Sequence, residues 1–110
     1  MPKREISVIL KDIIDNMDSI EDFVGTITFD EFIKDLKTQY AVDRCFEIIG
    51  EATKQLPENF ILENPEIEWH KMMAFRNILI HEYFRVERKI EWNIIKNILP
   101  DLLLKLKLLL

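Results

Sequence analysis

Four polar side chains with different chemistry lie close together in the segment RNILIHEYF, residues 76–84. They are Arg76, Asn77, His81 and Tyr83. Histidine takes or gives a proton near neutral pH, whereas arginine stays charged and holds two phosphate oxygens with its planar guanidinium. Asparagine adds a neutral hydrogen-bond donor. This set of residues suits proton transfer and charge stabilisation at a phosphodiester.

The residues around this segment do not have the spacing of a metal site. His70 and His81 are eleven positions apart, unlike a two-histidine zinc motif, and no carboxylate or cysteine cluster accompanies them. In RNA the neighbouring 2′-hydroxyl can act as the nucleophile, so the protein has to move protons and stabilise the phosphorus transition state. The sequence therefore favours metal-free cleavage of RNA without a cofactor.

The spacing of the four residues decides which of them are neighbours on a helix. Each residue turns by about 100°, so Arg76 and Tyr83 share one face and Asn77 and His81 form a second row. Arg76 and His81 are then about 140° apart around the axis. They meet at one phosphate only if the helix unwinds near His81, if Arg76 swings across, or if two chains complete each other's site.

A structural interpretation of the same residues involves no catalysis. An arginine five residues before a histidine occurs often by chance, and then His81 would cap a helix end while Tyr83 would belong to the core. The nearby cations Arg85, Arg88 and Lys89 fit either a small basic pocket with Arg76 or a solvated charged face.

The composition is that of one folded domain covering residues 1–110. A chain of 110 residues can bury one core but not two, and 48% hydrophobic residues exclude a disordered chain. The net charge of −5 argues against a general basic surface for long nucleic acid. We recognise no signal peptide and no membrane-spanning segment, and so expect a cytoplasmic protein that makes no membrane contact. The single cysteine, Cys45, is expected to be a buried, inert thiol.

Apolar residues recur at helical spacing, and a phosphate-binding glycine loop is absent, which predicts an all-α antiparallel bundle of four to five helices. Thr28 and Glu31 form a capping-box pattern, and Asn64 with Pro65 predicts another helix start. Pro100 is expected to bend or restart the last helix. The segment PENFILENPE, residues 57–66, is expected to be a loop. The expected helices cover about 3–23, 28–36, 39–56, 65–81 and 87–98.

The C-terminal segment DLLLKLKLLL carries more leucine than one bundle seam can bury. A homodimer interface would cover the surplus, and a frayed, sticky terminus is the alternative. The leucines concerned are Leu102, Leu103, Leu104, Leu106, Leu108, Leu109 and Leu110.

The motif and its surroundings resemble the HEPN superfamily, specifically the HepT-like toxins of minimal nucleotidyltransferase (MNT) toxin–antitoxin pairs. The resemblance covers RNILIHEY, YAVDRCFEIIGEATKQL, ENPEIEWHKM and the later EW before LP, from Tyr40 to Pro100. It implies a homodimeric helical bundle in which the Arg76 and His81 motifs of two subunits face one cleft. It also implies an endoribonuclease that works without metal and leaves a cyclic phosphate end.

The resemblance implies further roles near the motif. Asn77 corresponds to a supporting polar residue, and Tyr83 to the hydroxyl that the cognate nucleotidyltransferase antitoxin adenylylates with ATP. Added bulk and negative charge there would exclude the phosphates of RNA. Three residues that also match family positions have a spacing that predicts an intrahelical ion-pair network: Arg44, Glu47 and Glu51.

A second hypothesis belongs to a different functional class. The acidic balance is also compatible with a non-catalytic helical dimer that binds RNA or nucleotide, or that only docks a nucleotidyltransferase.

Overall fold

The computed structural model describes residues 4–110, which are helical without a strand. α1 packs along α3, α3 along α5, and α7 against α1, which confirms the predicted all-α bundle. The elements are α1 (Ile6–Val24), α2 (Phe29–Phe32), α3 (Leu36–Lys54), α4 (Glu58–Glu63), α5 (Trp69–His81), a 3₁₀ turn (Tyr83–Arg85), α6 (Arg88–Asn93), a π-helical segment (Ile94–Ile98) and α7 (Leu99–Lys107).

Local signals set several of the helix ends. Thr28 Oγ1 accepts a hydrogen bond from the Glu31 amide at 3.2 Å, and Glu31 Oε1 accepts one from the Thr28 amide at 3.1 Å, so the predicted capping box is confirmed. Asp35 caps α3 through the Thr38 amide, which separates α2 from α3. The expected start of α1 near Lys3 lies outside the described residues, and the helix is seen from Ile6.

The predicted loop over residues 57–66 is wrong, because most of it forms α4. This short helix buries Ile61, and its Phe60 ring packs 5.9 Å from the ring of Trp69. The predicted start at Asn64 is also wrong. Asn64 ends α4, where its Nδ2 donates to the Phe60 carbonyl at 2.9 Å and its own carbonyl accepts from Trp69 Nε1 at 3.0 Å. α5 therefore begins at the buried Trp69.

The helix restarts at Pro100: α7 begins at Leu99, with the proline in its first turn, after a π-helical segment that ends at Ile98. Proline has no N–H, and its ring clashes with the carbonyl four residues earlier in a regular α-helix. The wider π turn over Ile94–Ile98 accommodates this residue and lets the chain continue from α6 into α7.

The core lies between the long helices. The C-terminal leucines divide between core and surface: Leu103 and Leu106 are buried, whereas Leu104, Leu108 and Leu110 remain exposed. Within residues 4–110, none of the helices has both the length and the apolar character that crossing a membrane requires.

Candidate active site

Arg76 is held at the contact between α5 and α3. Its side chain is 17% exposed, and its Nη2 lies 2.9 Å from Oε2 of Glu51 on α3. Its Nη1 donates to Asn77 Oδ1 at 2.9 Å, while its Nε is buried without a hydrogen-bond partner. The predicted supporting residue Asn77 thus contacts Arg76, and the guanidinium is fixed by two neighbours.

Gly50 brings the backbone of α3 close to Arg76. A Cβ at this position would lie 2.2 Å from Arg76 Cβ and 2.8 Å from the Met72 carbonyl oxygen, both of which are impossible contacts. Sequence reasoning did not identify Gly50 as part of the site. The available signal was a glycine inside a helix, where it costs about 1 kcal/mol relative to alanine and therefore often has a packing reason.

A cleft of about 280 Å³ opens in front of Arg76, between α1, α3 and α5. The three arginines that line it each face a carboxylate, with N–O distances of 2.6, 3.4 and 2.9 Å. The pairs are Arg4–Asp12, Arg44–Glu47 and Arg76–Glu51. The predicted intrahelical pairing is confirmed for Arg44 and Glu47. It is wrong for Glu51, which faces α5 and binds Arg76 instead.

His81 lies away from this cleft. α5 stays helical up to His81, and the Glu82 amide donates to the Ile78 carbonyl at 2.8 Å, so the helix does not unwind near the histidine. The His81 side chain is exposed and does not line the cleft. A step of five positions along the helix places the two side chains about 140° apart around its axis, and Glu51 holds Arg76 toward α3. The structure therefore does not bring Arg76 and His81 of one chain onto one face.

Tyr83 stands on the 3₁₀ turn that follows α5. Its side chain is 76% exposed and that of the adjacent Phe84 is 74% exposed, with the two ring centroids 6.0 Å apart. The structural interpretation that assigned Tyr83 to the core is wrong. Its hydroxyl is on an accessible surface two residues beyond His81.

The cations that follow Tyr83 form neither a pocket with Arg76 nor one solvated face. Arg85 pairs with Glu82 at 3.1 Å, whereas Arg88 turns inward to Asp43 at 2.7 Å and Glu91 at 2.8 Å. Glu91 is completely buried. Its burial and the neighbouring Asp43 carboxyl raise the pKa of Glu91 to about 8. We assign this cluster to the contact between α3 and α6 rather than to catalysis.

Outside the motif, neither the single thiol nor the carboxylates and histidines form a reactive or metal-binding site in the described residues. Cys45 is buried, as expected, and its burial raises the pKa of the thiol, which disfavours the reactive thiolate. Over residues 4–110 there is no cluster of three or more histidine, cysteine, aspartate or glutamate side chains arranged to hold a metal ion.

Comparison with known proteins gives a consistent result. The family model "Ribonuclease HepT-like" matches residues 13–109. A protein of Methanocaldococcus jannaschii named "Putative RNase" is 48% identical over 101 residues, which cover 92% of this chain and 84% of that protein. The "Probable ribonuclease HepT" of Thermococcus cleftensis is 43% identical over 100 residues, 91% of each chain. No solved structure gives a significant match.

Proposed function

The chain belongs to the HepT-like ribonuclease family, and we propose that it is a metal-independent endoribonuclease whose active site is completed by two copies of the chain. In each site, Arg76 of one copy binds the scissile phosphate and His81 of the other copy moves the proton.

The observation that carries this proposal is the regular course of α5 through His81. Because the helix neither kinks nor unwinds, Arg76 and His81 of one chain point to different sides of it. A second copy is the simplest source of the missing partner for each residue. Oligomers with two-fold symmetry present the same patch twice, so one contact would complete two equivalent sites.

The proposed reaction uses the RNA's own hydroxyl. His81 accepts the proton of the 2′-hydroxyl as its oxygen attacks phosphorus. The bond from phosphorus to the 5′-oxygen then breaks, and the leaving oxygen takes up a proton from water. The products are a 2′,3′-cyclic phosphate and a 5′-hydroxyl. Arg76 stabilises the extra negative charge on the phosphoryl oxygens, and Asn77 holds its guanidinium.

The direct test is RNA cleavage by the purified, unmodified protein in the presence of EDTA. We expect cleavage with cyclic phosphate ends, and its loss in Arg76→Ala and in His81→Ala. Arg44→Ala is a matched control, because Arg44 lines the same cleft but has no role in the proposed reaction. Full activity in both motif variants would contradict the site, and cleavage that EDTA abolishes would contradict the metal-free mechanism.

We further propose that the protein is the toxin of a toxin–antitoxin pair and that Tyr83 is its switch. The support is the accessibility of Tyr83, which is 76% exposed on a turn outside α5 and can enter another protein's active site. Co-expression with a cognate minimal nucleotidyltransferase should add AMP to the peptide that carries Tyr83. Tyr83→Phe should remain unmodified, and AMP on any other residue would contradict this assignment.

A second candidate is a non-catalytic dimer that binds RNA or nucleotide, or that only docks a nucleotidyltransferase. The observation that favours it is the ion pair between Arg76 and Glu51. The carboxylate offsets the positive charge that Arg76 would offer to a phosphate, in a chain of net charge −5. RNA binding without any cleavage by unmodified protein would support this candidate over the ribonuclease.

A further inference from the structure

Two consecutive residues of α3, Gly50 and Glu51, contact the stem and the head of Arg76. We infer that Glu51 is a positioning residue: it binds the Arg76 guanidinium in the free protein, and a phosphate of the substrate then displaces it. The inference rests on the proposed function, because it assigns Arg76 to phosphate binding.

The stem of Arg76 is fixed by the close packing of two helices. The space that a side chain at position 50 would need is taken by Arg76 Cβ and Cγ and by the Met72 carbonyl. The Arg76 side chain therefore packs directly against the backbone of α3 where it extends from α5. Its guanidinium reaches the next residue of α3, which is Glu51.

The head of Arg76 is fixed from the solvent side. Glu51 Oε2 contacts Nη2 at 2.9 Å, and the side chain of Glu51 is 51% exposed while that of Arg76 is 17% exposed. The carboxylate can therefore move into water while the arginine stays in place. Because the Glu51 end of the ion pair is in contact with water, exchanging this carboxylate for another anion costs little.

Carboxylate and phosphate are equivalent ligands for the guanidinium. Both accept parallel hydrogen bonds from its fork of N–H groups. With Nη1 on Asn77 and Nε enclosed, the atom that can change partner is Nη2. In the free protein Glu51 occupies the position that a phosphoryl oxygen takes in the complex.

This arrangement predicts that Glu51→Gln lowers both KM and kcat for RNA. Glu51→Gln keeps a side-chain oxygen near Arg76 but removes the competing charge. The KM for RNA should fall about three- to fivefold, as expected for the loss of an ion pair that is in contact with water at its Glu51 end. The kcat should fall as well, because the guanidinium is held less firmly. A residue that only stabilises the fold would not lower KM.

Glu47 offers a matched control. It lies one turn earlier on α3, lines the same cleft and pairs with Arg44, so Glu47→Gln makes the same change of charge. We expect it to alter RNA binding less than twofold. Equal effects of the two substitutions would show a general electrostatic effect and overturn the inference.

The test that separates this inference from the proposed function is binding of a 2′-O-methyl RNA oligonucleotide, which cannot be cleaved by 2′-hydroxyl attack. Wild type, Glu51→Gln, Arg76→Ala and the double variant are compared in a double-mutant cycle. We expect tighter binding by Glu51→Gln and no effect of that substitution in the Arg76→Ala background. An effect that persists without Arg76 overturns the inference.

Cleavage assays on the same variants report the proposed function separately. If wild type binds RNA, the cycle shows the expected coupling and no RNA is cut, the ribonuclease proposal fails while the role of Glu51 stands. If cleavage depends on Arg76 but Glu51→Gln changes neither KM nor binding, the role of Glu51 fails alone. If no variant binds RNA, both fail.

Discussion

At the scale of the residue, the chemistry of Arg76 depends on its shape as well as its charge. Its terminal nitrogens contact two different partners, Glu51 and Asn77, in directions set by one planar group. Lysine carries the same charge but has no planar fork, so it cannot bind Asn77 through one nitrogen while a second nitrogen donates to a phosphate. The types of the motif residues could be interpreted from the sequence. The contact with Glu51 could not, because it depends on how α3 and α5 align.

Arg76→Lys should therefore lower kcat for RNA cleavage at least tenfold, about 1.4 kcal/mol of transition-state stabilisation. Stability should change little, since the aliphatic stem is kept. Arg44→Lys, in the same cleft, is the control and should stay within about twofold of wild type. Equal activity of the lysine and arginine forms at position 76 would contradict the need for a planar guanidinium. Kinetics and urea denaturation on the same preparations measure both quantities.

The raised pKa of Glu91 predicts that the stability of the fold depends on pH. Its pKa is raised from 4.5 to about 8 by burial and by Asp43, so between these values the folded state keeps a proton that the unfolded state has lost. The unfolding free energy of wild type should then fall by up to about 1.4 kcal/mol per pH unit as pH rises through this window. Glu91→Gln keeps an oxygen for Arg88 and an N–H for Asp43, and should remove this slope.

Urea denaturation of wild type and Glu91→Gln at pH 5, 6, 7 and 8 measures the difference. The variant should gain stability relative to wild type as pH increases and approach it at pH 5. Glu47→Gln, which removes a carboxylate near the surface of α3, should follow the wild-type curve. If the unfolding free energies of wild type and Glu91→Gln change with pH in parallel, Glu91 is ionised in the folded protein and the prediction is wrong.

At the scale of the element, the site depends on the contact between α3 and α5. The helices themselves follow from patterns that the sequence displays, such as the capping box at Thr28 and the apolar stripe of α1. α4 could not be predicted from such patterns, because a helix of six residues has little intrinsic stability. It is stabilised by the buried Ile61 and by the packing of Phe60 on Trp69. The start of α5 at Trp69 likewise depends on the burial of this side chain and on its hydrogen bond to the Asn64 carbonyl, which helical spacing does not predict.

Gly50→Ala tests this contact. Alanine favours a helix by about 1 kcal/mol over glycine, but its Cβ would clash with Arg76 Cβ and with the Met72 backbone. The helices must separate, so the variant should be less stable by about 1–3 kcal/mol despite the gain in propensity. RNA cleavage should be lost through the displaced arginine. Lys54→Ala, exposed near the end of α3, should leave both unchanged. A Gly50→Ala protein that is more stable than wild type would contradict the close packing.

At the scale of the whole molecule, one chain has a core, but its candidate site residues do not lie together. Arg76 faces the cleft between α1, α3 and α5, while His81 and Tyr83 are on the open surface beyond it. The angle between Arg76 and His81 already predicted this difficulty from the sequence. It left open whether a distorted helix, a swing of the Arg76 side chain or a second chain resolves it. The regular course of α5 argues against the first of these, and the contact of Arg76 with Glu51 argues against the second. Which surfaces meet in a dimer depends on the partner chain and cannot be derived from helical spacing alone.

The most direct test of the two-chain site is complementation between inactive variants. Arg76→Ala and His81→Ala chains are given different tags and co-expressed, and the heterodimer is purified through both tags. If Arg76 of one chain works with His81 of the other, the heterodimer keeps one intact site of two and should show about half of wild-type RNA cleavage. A heterodimer that forms but is as inactive as the two parental variants would contradict the account.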